Sequence, residues 1–271
     1  MRERPPAPAK LRVEHVRKQF DDPRSAGVEA IRDASLEVGE GEFAALIGPS
    51  GCGKSTLLYL VAGFLRPSGG TLSLDGRPIT GPGPDRGIVF QDYSLFPWLT
   101  VEQNIRFGPN AQRLGDGVTG PRVRHLLELT GLIGFERAYP HQLSGGMQQR
   151  VGLARALAYD PSVLLMDEPF GALDAQTKRR MIRDLLRIWQ DARKTVLFVT
   201  HSVEEALYLS DRIFVFSARP SVIKEVITVE LPRPREIDDP RFVALERRLL
   251  LSLDEEVDRM MRLEERPTDD A

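Results

Sequence analysis

The chain has 271 residues, 41% of them hydrophobic, and a formal net charge of -2. That apolar share excludes a disordered chain, and the near-balance of charge argues against a general nucleic-acid binder, which carries a strong basic excess. A single cysteine, Cys52, excludes an intramolecular disulfide and fits a reducing compartment.

Residues 1–10 hold charges and prolines without an apolar core, so a disordered leader is expected there rather than a secretory signal. "LRVEHVRKQF" and "IRDASLEV" alternate apolar and polar residues, which predicts two half-buried strands. "FAALI", residues 43–47, is a continuous apolar run and reads as a buried strand. It leads into "GPSGCGKST" and then "STLLYLVAGF", read as a helix; "TLSLDG" follows as an edge strand ending in a turn. "RGIVF", residues 86–90, is a second buried strand. "QDYSLFPWLTVEQNIRFG" brings aromatics, a proline and a short helix, and residues 108–121 read as a glycine-rich loop. "RVRHLLELTGL" and the stretch after Gly146 read as helices, so the middle of the chain is a mostly helical insert.

"SVLLMDE", "TVLFVT" and "RIFVFS" resume the buried strands, separated by helical segments. That is the pattern of a parallel α/β sheet. Between the first two, Met181, Ile182, Leu185, Leu186 and Trp189 share one helical face and are expected in the core. Beyond Pro232 and Pro234, Phe242, Leu245, Leu249, Leu253, Val257 and Met260 form a helical stripe. Packing against its own domain is the expectation, with a partner or dimer contact as the alternative. No run approaches the roughly 18 apolar residues of a membrane span, so the chain is expected to be soluble when alone.

"GPSGCGKST" matches the phosphate-loop pattern G-x-x-x-x-G-K-[ST] between a predicted strand and a predicted helix. Its residues Gly48, Pro49, Ser50, Gly51, Cys52, Gly53, Lys54, Ser55 and Thr56 are candidate nucleotide contacts. Glycines let the backbone curl until several N–H groups face one anion, and the helix start adds positive potential. Lys54 reaches for the β- and γ-phosphates, Ser55 for Mg²⁺, and Thr56 adds a phosphate hydrogen bond. Cys52 reads as a small filler. In "VLLMDEP", residues 163–169, Asp167 and Glu168 end an apolar run, where carboxylates are costly without a cation. Asp167 is expected to complete Mg²⁺ coordination through water, and Glu168 to align or deprotonate an attacking water.

"LSGGMQQR", residues 143–150, poses a different problem. Ser144, Gly145 and Gly146 offer a hydroxyl and exposed amides at a helix start, the second half of an anion site. Two chains facing head to tail are a simple way to use both halves. At this point the sequence resembles the ABC-type ATPases, whose signature "LSGGMQQR" looks like. "GPSGCGKST", Gln91, "LSGGMQQR", "LLMDEP", "GALD" and "VTH" follow that family's order across about residues 11–235.

The resemblance implies an α/β fold: a P-loop NTPase core with a mostly parallel sheet, an N-terminal antiparallel β subdomain and a helical insert. The nucleotide-binding domain would span residues 11–235, with the insert at about 92–160 and a C-terminal helical tail at 236–271. It implies ATP and Mg²⁺ as ligands. Gln91 would be the switch residue that contacts Mg²⁺ or the attacking water. Asp174 would bridge the two active sites of a homodimer, and His201 would contact the γ-phosphate and position Glu168. Phe20 sits where the family stacks an aromatic on adenine; a core aromatic is the alternative.

One ATPase copy, no zinc or coiled-coil insert and no membrane helix leave a stand-alone import-type subunit. "QDYSLFPWLTVEQNI", "LLMDEPFGALDAQTKR", "VTHSVEEALYLSDRI" and "VELPRPRE" look like the nitrate/sulfonate/taurine import branch. That likeness implies ATP-driven uptake of a small anionic or organic solute and a peripheral place on the cytoplasmic face of the inner membrane. It implies integral-membrane permease subunits, an extracytoplasmic solute-binding protein acting indirectly, and no nucleic acid. By the same resemblance Phe96, Pro97 and Trp98 line the groove that receives a short permease helix; internal packing is the alternative. A soluble ABC ATPase with a regulatory or assembly role and no permease is the second reading. A phosphotransferase of another family leaves Ser144, Gly145 and Gly146 unexplained.

Overall fold

The structure, a computed structural model, describes residues 9–21, 27–171 and 173–264. It divides into two units, one taking in residues up to Pro82 and from Leu197 onward, the other Gly83–Val196. Most of the leader expected at residues 1–10 lies outside the described residues, and Ala9 and Lys10 already stand in the first strand.

In the first unit the alternating start of the chain forms β1 (Ala9–Phe20) and β2 (Val28–Gly39), paired antiparallel. Leu11, Val13, Val16, Ile31, Leu36 and Val38 turn inward. β4 (Gly69–Leu74) pairs antiparallel with β1, and β5 (Arg77–Pro78) with β4. β3 (Phe43–Ile47) is buried at every position, as its unbroken apolar run demands, and pairs parallel with β9 (Arg212–Phe216). β10 (Ser221–Thr228) lies antiparallel to β9 and meets β2 in a short parallel register. The order is therefore β5-β4-β1-β2-β10-β9-β3. β10 is absent from the sequence-based expectation. Its apolar residues come in pairs, Val222 with Ile223 and Val226 with Ile227, which hides the two-residue period.

α1 (Lys54–Ala62) follows β3, and α6 (Val203–Leu209) and α7 (Pro240–Glu264) complete this unit. The prolines of "VELPRPRE" carry two arginines back onto it. Arg235 is buried, and its guanidinium donates to the carbonyls of Leu207, Ser210, Val229 and Leu231. Burial, with Arg233 nearby, pushes the Arg235 pKa down to about 10, so it stays charged at neutral pH and closes the carbonyl end of α6. Arg233 pairs with Asp211 at 2.6 Å, and the other Asp211 oxygen accepts from the Phe43 N–H at 2.9 Å. The start of β3 is thus pinned. Along α7, Phe242, Leu249 and Met260 are buried, while Glu256 accepts from the Ala218 N–H at 2.8 Å and pairs with Lys224 at 3.1 Å. The stripe packs on its own unit.

In the second unit β6 (Arg86–Val89) and β7 (Val163–Asp167) run parallel. β8 (Thr195–Val199) is buried throughout, and its residues divide between the two units. Among the described residues this unit also holds four α-helices: α2 (Val101–Ala111), α3 (Asp116–Thr130), α4 (Gly145–Leu157) and α5 (Ala175–Ala192). Thr100 opens α2 with a reciprocal cap to Gln103. Residues 108–121, expected as a loop, are mostly helical and leave only a turn at 112–115. Burial of Thr119, Val123, Leu126 and Leu127 outweighs the weak propensity of Gly117, Gly120 and Pro121. On α5, Met181, Ile182, Leu185 and Leu186 are core as expected. Trp189 is half-buried, and its indole N–H donates to Lys194 O at 2.8 Å. Among the described residues no helix is long and apolar enough to cross a membrane.

Arg235→Met strips charge-assisted donors from buried carbonyls and is expected to cost about 3 kcal/mol. Equilibrium urea unfolding checks this; a cost below about 1 kcal/mol would mean that those carbonyls find other donors.

Candidate nucleotide-binding site

The first unit carries the phosphate loop between β3 and α1. Gly53 caps α1 at φ 105, and a Cβ there would lie 3.1 Å from Ala30 O and 3.2 Å from Ile31 Cγ1. Only glycine suits both demands. The Lys54 side chain is buried, and its Nζ donates to Gly48 O and Pro49 O, each at 2.9 Å. Ser55 and Thr56 stand half-buried in the first turn of α1. Cys52 lies beneath the loop, fully buried, and burial pushes its thiol up although Lys54 Nζ is 3.8 Å away. A reactive thiolate is therefore not stabilised, and the small-filler expectation fits.

Phe20 ends β1 and is 38% exposed, with Lys18 Nζ 4.8 Å above its ring. It is not a core aromatic. Past β8, the Thr200 N–H donates to Leu46 O at 3.2 Å, which sets the end of β8 beside the strand that feeds the loop. His201 follows, exposed. Sequence reasoning missed the pair that shapes this turn. Thr200 Oγ1 donates to the buried Glu205 Oε2 at 2.5 Å and accepts from the Ser202 N–H at 3.0 Å. The available signal was Ser202 three residues before Glu205, a capping pattern at the start of α6.

The second unit carries the acidic part. Asp167 is buried at the end of β7, and Glu168 takes a left-handed backbone at φ 43. Such strain in a non-glycine residue is a mark of functional sites. Gln91 lies two residues past β6. A Cβ built on Gly171 would sit 3.4 Å from Gln91 Nε2 and 4.0 Å from Glu168 Oε2, so the amide and the carboxylate converge on this glycine. Ser144 opens α4, its Oγ accepting from the Met147 N–H at 3.4 Å. The Cβ position of Gly145 lies 3.6 Å from Leu173 Cδ2, and that of Gly146 3.1 Å from Thr177 Cγ2. The Ser-Gly-Gly turn therefore packs on Leu173 and the first turn of α5. Asp174 caps α5, its Oδ1 accepting from the N–H groups of Gln176 at 3.1 Å and Thr177 at 3.0 Å. Thr177, through its hydroxyl and its N–H, holds the exposed Asp174 carboxyl below the usual range.

Of the predicted residues, Phe20, residues 48–56 and His201 belong to the first unit. Gln91, Ser144, Gly145, Gly146, Asp167, Glu168 and Asp174 belong to the second. Within the aromatic segment Phe96 is half-buried, 4.4 Å from the Phe107 ring, whereas Trp98 is 70% exposed. A groove of 560 Å³ opens beside it, lined by Leu99, Gln103, Arg106 and Phe107 among others. As metal donors, the Ser55 hydroxyl, the Gln91 amide oxygen and the Asp167 carboxylate are hard oxygens. Among the described residues no group of three or more His, Cys, Asp or Glu could hold a metal. Oxygen donors of these types suit Mg²⁺, which keeps phosphate and water among its ligands.

The ABC transporter family model matches residues 31–171. An uncharacterised ABC transporter ATP-binding protein of Methanocaldococcus jannaschii is 49% identical over 92% of this chain and 92% of its own length. A nitrate import ATP-binding protein of Synechocystis is 48% identical, covering 83% of this chain and 84% of its own. A taurine import ATP-binding protein of Ruegeria pomeroyi is 47% identical, covering 79% and 80%. Among solved structures, a dimeric ATP-binding cassette in a post-hydrolysis state with ADP and phosphate aligns at a TM-score of 0.71 and 29% identity. The alignment covers 82% of this chain and all of that one.

Gly48→Ala would set a methyl 2.9 Å from both Cys52 Sγ and Phe216 Cβ. Overpacking of this kind costs about 1–3 kcal/mol, and ATP binding is expected to weaken about tenfold as the loop shifts. Thermal unfolding and titration with a fluorescent nucleotide read the two effects.

Proposed function

The chain belongs to the ABC transporter ATP-binding family and hydrolyses ATP to drive transport, and from that premise we propose a specific place for it. It is the ATPase subunit of a membrane importer for a small anionic or organic solute of the nitrate, sulfonate or taurine kind. The convergence of Glu168 and Gln91 on Gly171 carries the catalytic part of this reading. The solute class is supported by the names of the nitrate and taurine relatives. The nucleotide-binding domain is taken as residues 11–235, with the insert at about 92–160 and a tail from 236.

The phosphates of ATP enter against the N–H groups of residues 50–56. Their oxygens compete with Gly48 O and Pro49 O for the Lys54 ammonium. Phe20 stacks on the adenine. Ser55, Asp167 and Gln91 would hold Mg²⁺, which would supply positive charge to the phosphates. Glu168 takes a proton from water as that water attacks the γ-phosphorus. The bond from phosphorus to the β,γ-bridging oxygen breaks, leaving ADP and phosphate. His201 orients Glu168 and the γ-phosphate. Ser144, Gly145 and Gly146 of a second copy supply donors to the far side of the γ-phosphate, and Asp174 links the two sites. The dimeric state of the related cassette supports this arrangement.

Closing and reopening of that homodimer moves the helical insert and, through it, a permease. The exposed Trp98 beside its apolar groove supports a docking role for this segment. The subunit is then peripheral on the cytoplasmic face of the membrane and meets a solute-binding protein only through the permease.

Glu168→Gln is expected to lower turnover by about 10²–10⁴ while leaving ATP binding, and to run as an ATP-dependent dimer in gel filtration. Wild-type turnover would remove Glu168 as the base. Trp98→Ala is expected to cut solute uptake about tenfold or more, with turnover of the isolated chain changed less than about twofold; normal uptake would reject the docking role. A tagged pull-down from gently solubilised membranes tests the whole reading. A multi-span permease is the expected companion. Recovery from the soluble fraction alone would favour a regulatory ATPase.

A further inference from the structure

Two consecutive residues just past Gln91 hold a left-handed backbone, Tyr93 at φ 55 and Ser94 at φ 45. Neither is glycine, so the turn does not form for free. What holds it lies on α4. Arg155 Nη1 donates to Ser94 O at 2.7 Å and Nη2 to Tyr93 O at 3.0 Å, while the guanidinium sits 5.5 Å over the Phe96 ring. Burial lowers the Arg155 pKa, yet the side chain spends its fork on two main-chain carbonyls. Arginine's planar geometry suits that bidentate grip.

The other end of the turn is held too. Tyr93 O and Cβ lie 3.6 and 4.0 Å from the Cβ position of Gly152, and Tyr93 Oη lies 3.8 Å from that of Gly145. Those glycines are seven residues apart, about two turns of helix. The ring therefore lies along α4 from its middle to the Ser-Gly-Gly turn, with its hydroxyl buried and without a hydrogen-bond partner.

We propose that Arg155 is a positioning residue that, with Tyr93, locks the segment after Gln91 to α4, so that Gln91, the Ser144 turn and the Phe96 and Trp98 segment move as one piece. This rests on the reading of Gln91 as the switch residue. Gln91 precedes the clamped pair and Trp98 follows it. A shift of α4 on dimer closure therefore reaches both the carboxylate site at Gly171 and the exposed aromatic. Arg155 acts through the turn, its guanidinium committed to the Tyr93 and Ser94 carbonyls.

The test is steady-state ATP hydrolysis by the purified full chain, with kcat and KM separated. Arg155→Lys keeps the charge but loses the fork, and is expected to lower kcat about ten- to a hundredfold with the KM for ATP within about twofold. Ser94→Gly added to Arg155→Lys should restore most of the lost kcat, because glycine takes the left-handed region without steric cost. Ser94→Val attacks the same turn from its exposed side, since a β-branched residue resists positive φ. It should reproduce the kcat loss even if Arg155→Lys does not fold. Wild-type kcat in Arg155→Lys or in Ser94→Val would overturn the inference, as would failure of Ser94→Gly to rescue. A wild-type chain with no ATP turnover would instead sink the proposed function, and the inference with it.

Discussion

A phosphate loop is useful only if its main-chain N–H groups stay aimed at one point, and that demand organises the first unit. The loop has no core of its own. It is held at one end by β3, buried at all five positions, and at the other by α1, whose capping Gly53 is wedged against Ala30 and Ile31. β3 is held in turn by Asp211, which takes the Phe43 N–H and the Arg233 guanidinium. Arg235 then ties the same proline-rich segment to the end of α6. A tail segment with no chemistry of its own thus steadies both the strand entering the loop and the helix that follows His201.

The second unit solves a different problem, the placement of a carboxylate and an amide beside a glycine. Left-handed backbone in non-glycine residues is costly, and in this unit Tyr93, Ser94 and Glu168 share it with Arg113, Asp160 and Arg193. Of these, Tyr93 and Ser94 are gripped by Arg155, and Glu168 directly follows the buried β7. The same economy appears around "GALD". Leu173 and Thr177 fit where Gly145 and Gly146 lack a Cβ, and Asp174 opens α5. Small residues here allow elements to approach closely, which is a packing role.

Legibility in the sequence followed the strength of local patterns. The unbroken apolar run "FAALI" matched a buried strand residue for residue, and "TVLFVT" matched one up to its last residue. The phosphate loop and the acidic pair were readable because their chemistry needs fixed spacings next to a strand end. Patterns failed where long-range burial overrode local preference. Gly117, Gly120 and Pro121 argued for a loop, yet buried residues on the far side of α3 make it a helix. β10 was hidden by paired apolar residues and is defined by its ladder with β9. Glu205 carried a visible capping signal, but its grip on Thr200 depended on the turn between them.

By itself the sequence determined the chemistry on offer: a glycine loop with Lys54, carboxylates at Asp167 and Glu168, and a Ser-Gly-Gly helix start at Ser144. Those are local matters, settled by residue type and spacing along a strand or helix end. Only the tertiary structure decided which groups meet. Gln91 and Glu168 are 77 positions apart, and Arg155 lies 61 positions from Ser94. No local rule brings such residues together. They meet because β6 pairs with β7 and because α4 packs along the turn after β6, contacts whose energy comes from burial across the fold rather than from any stretch of chain.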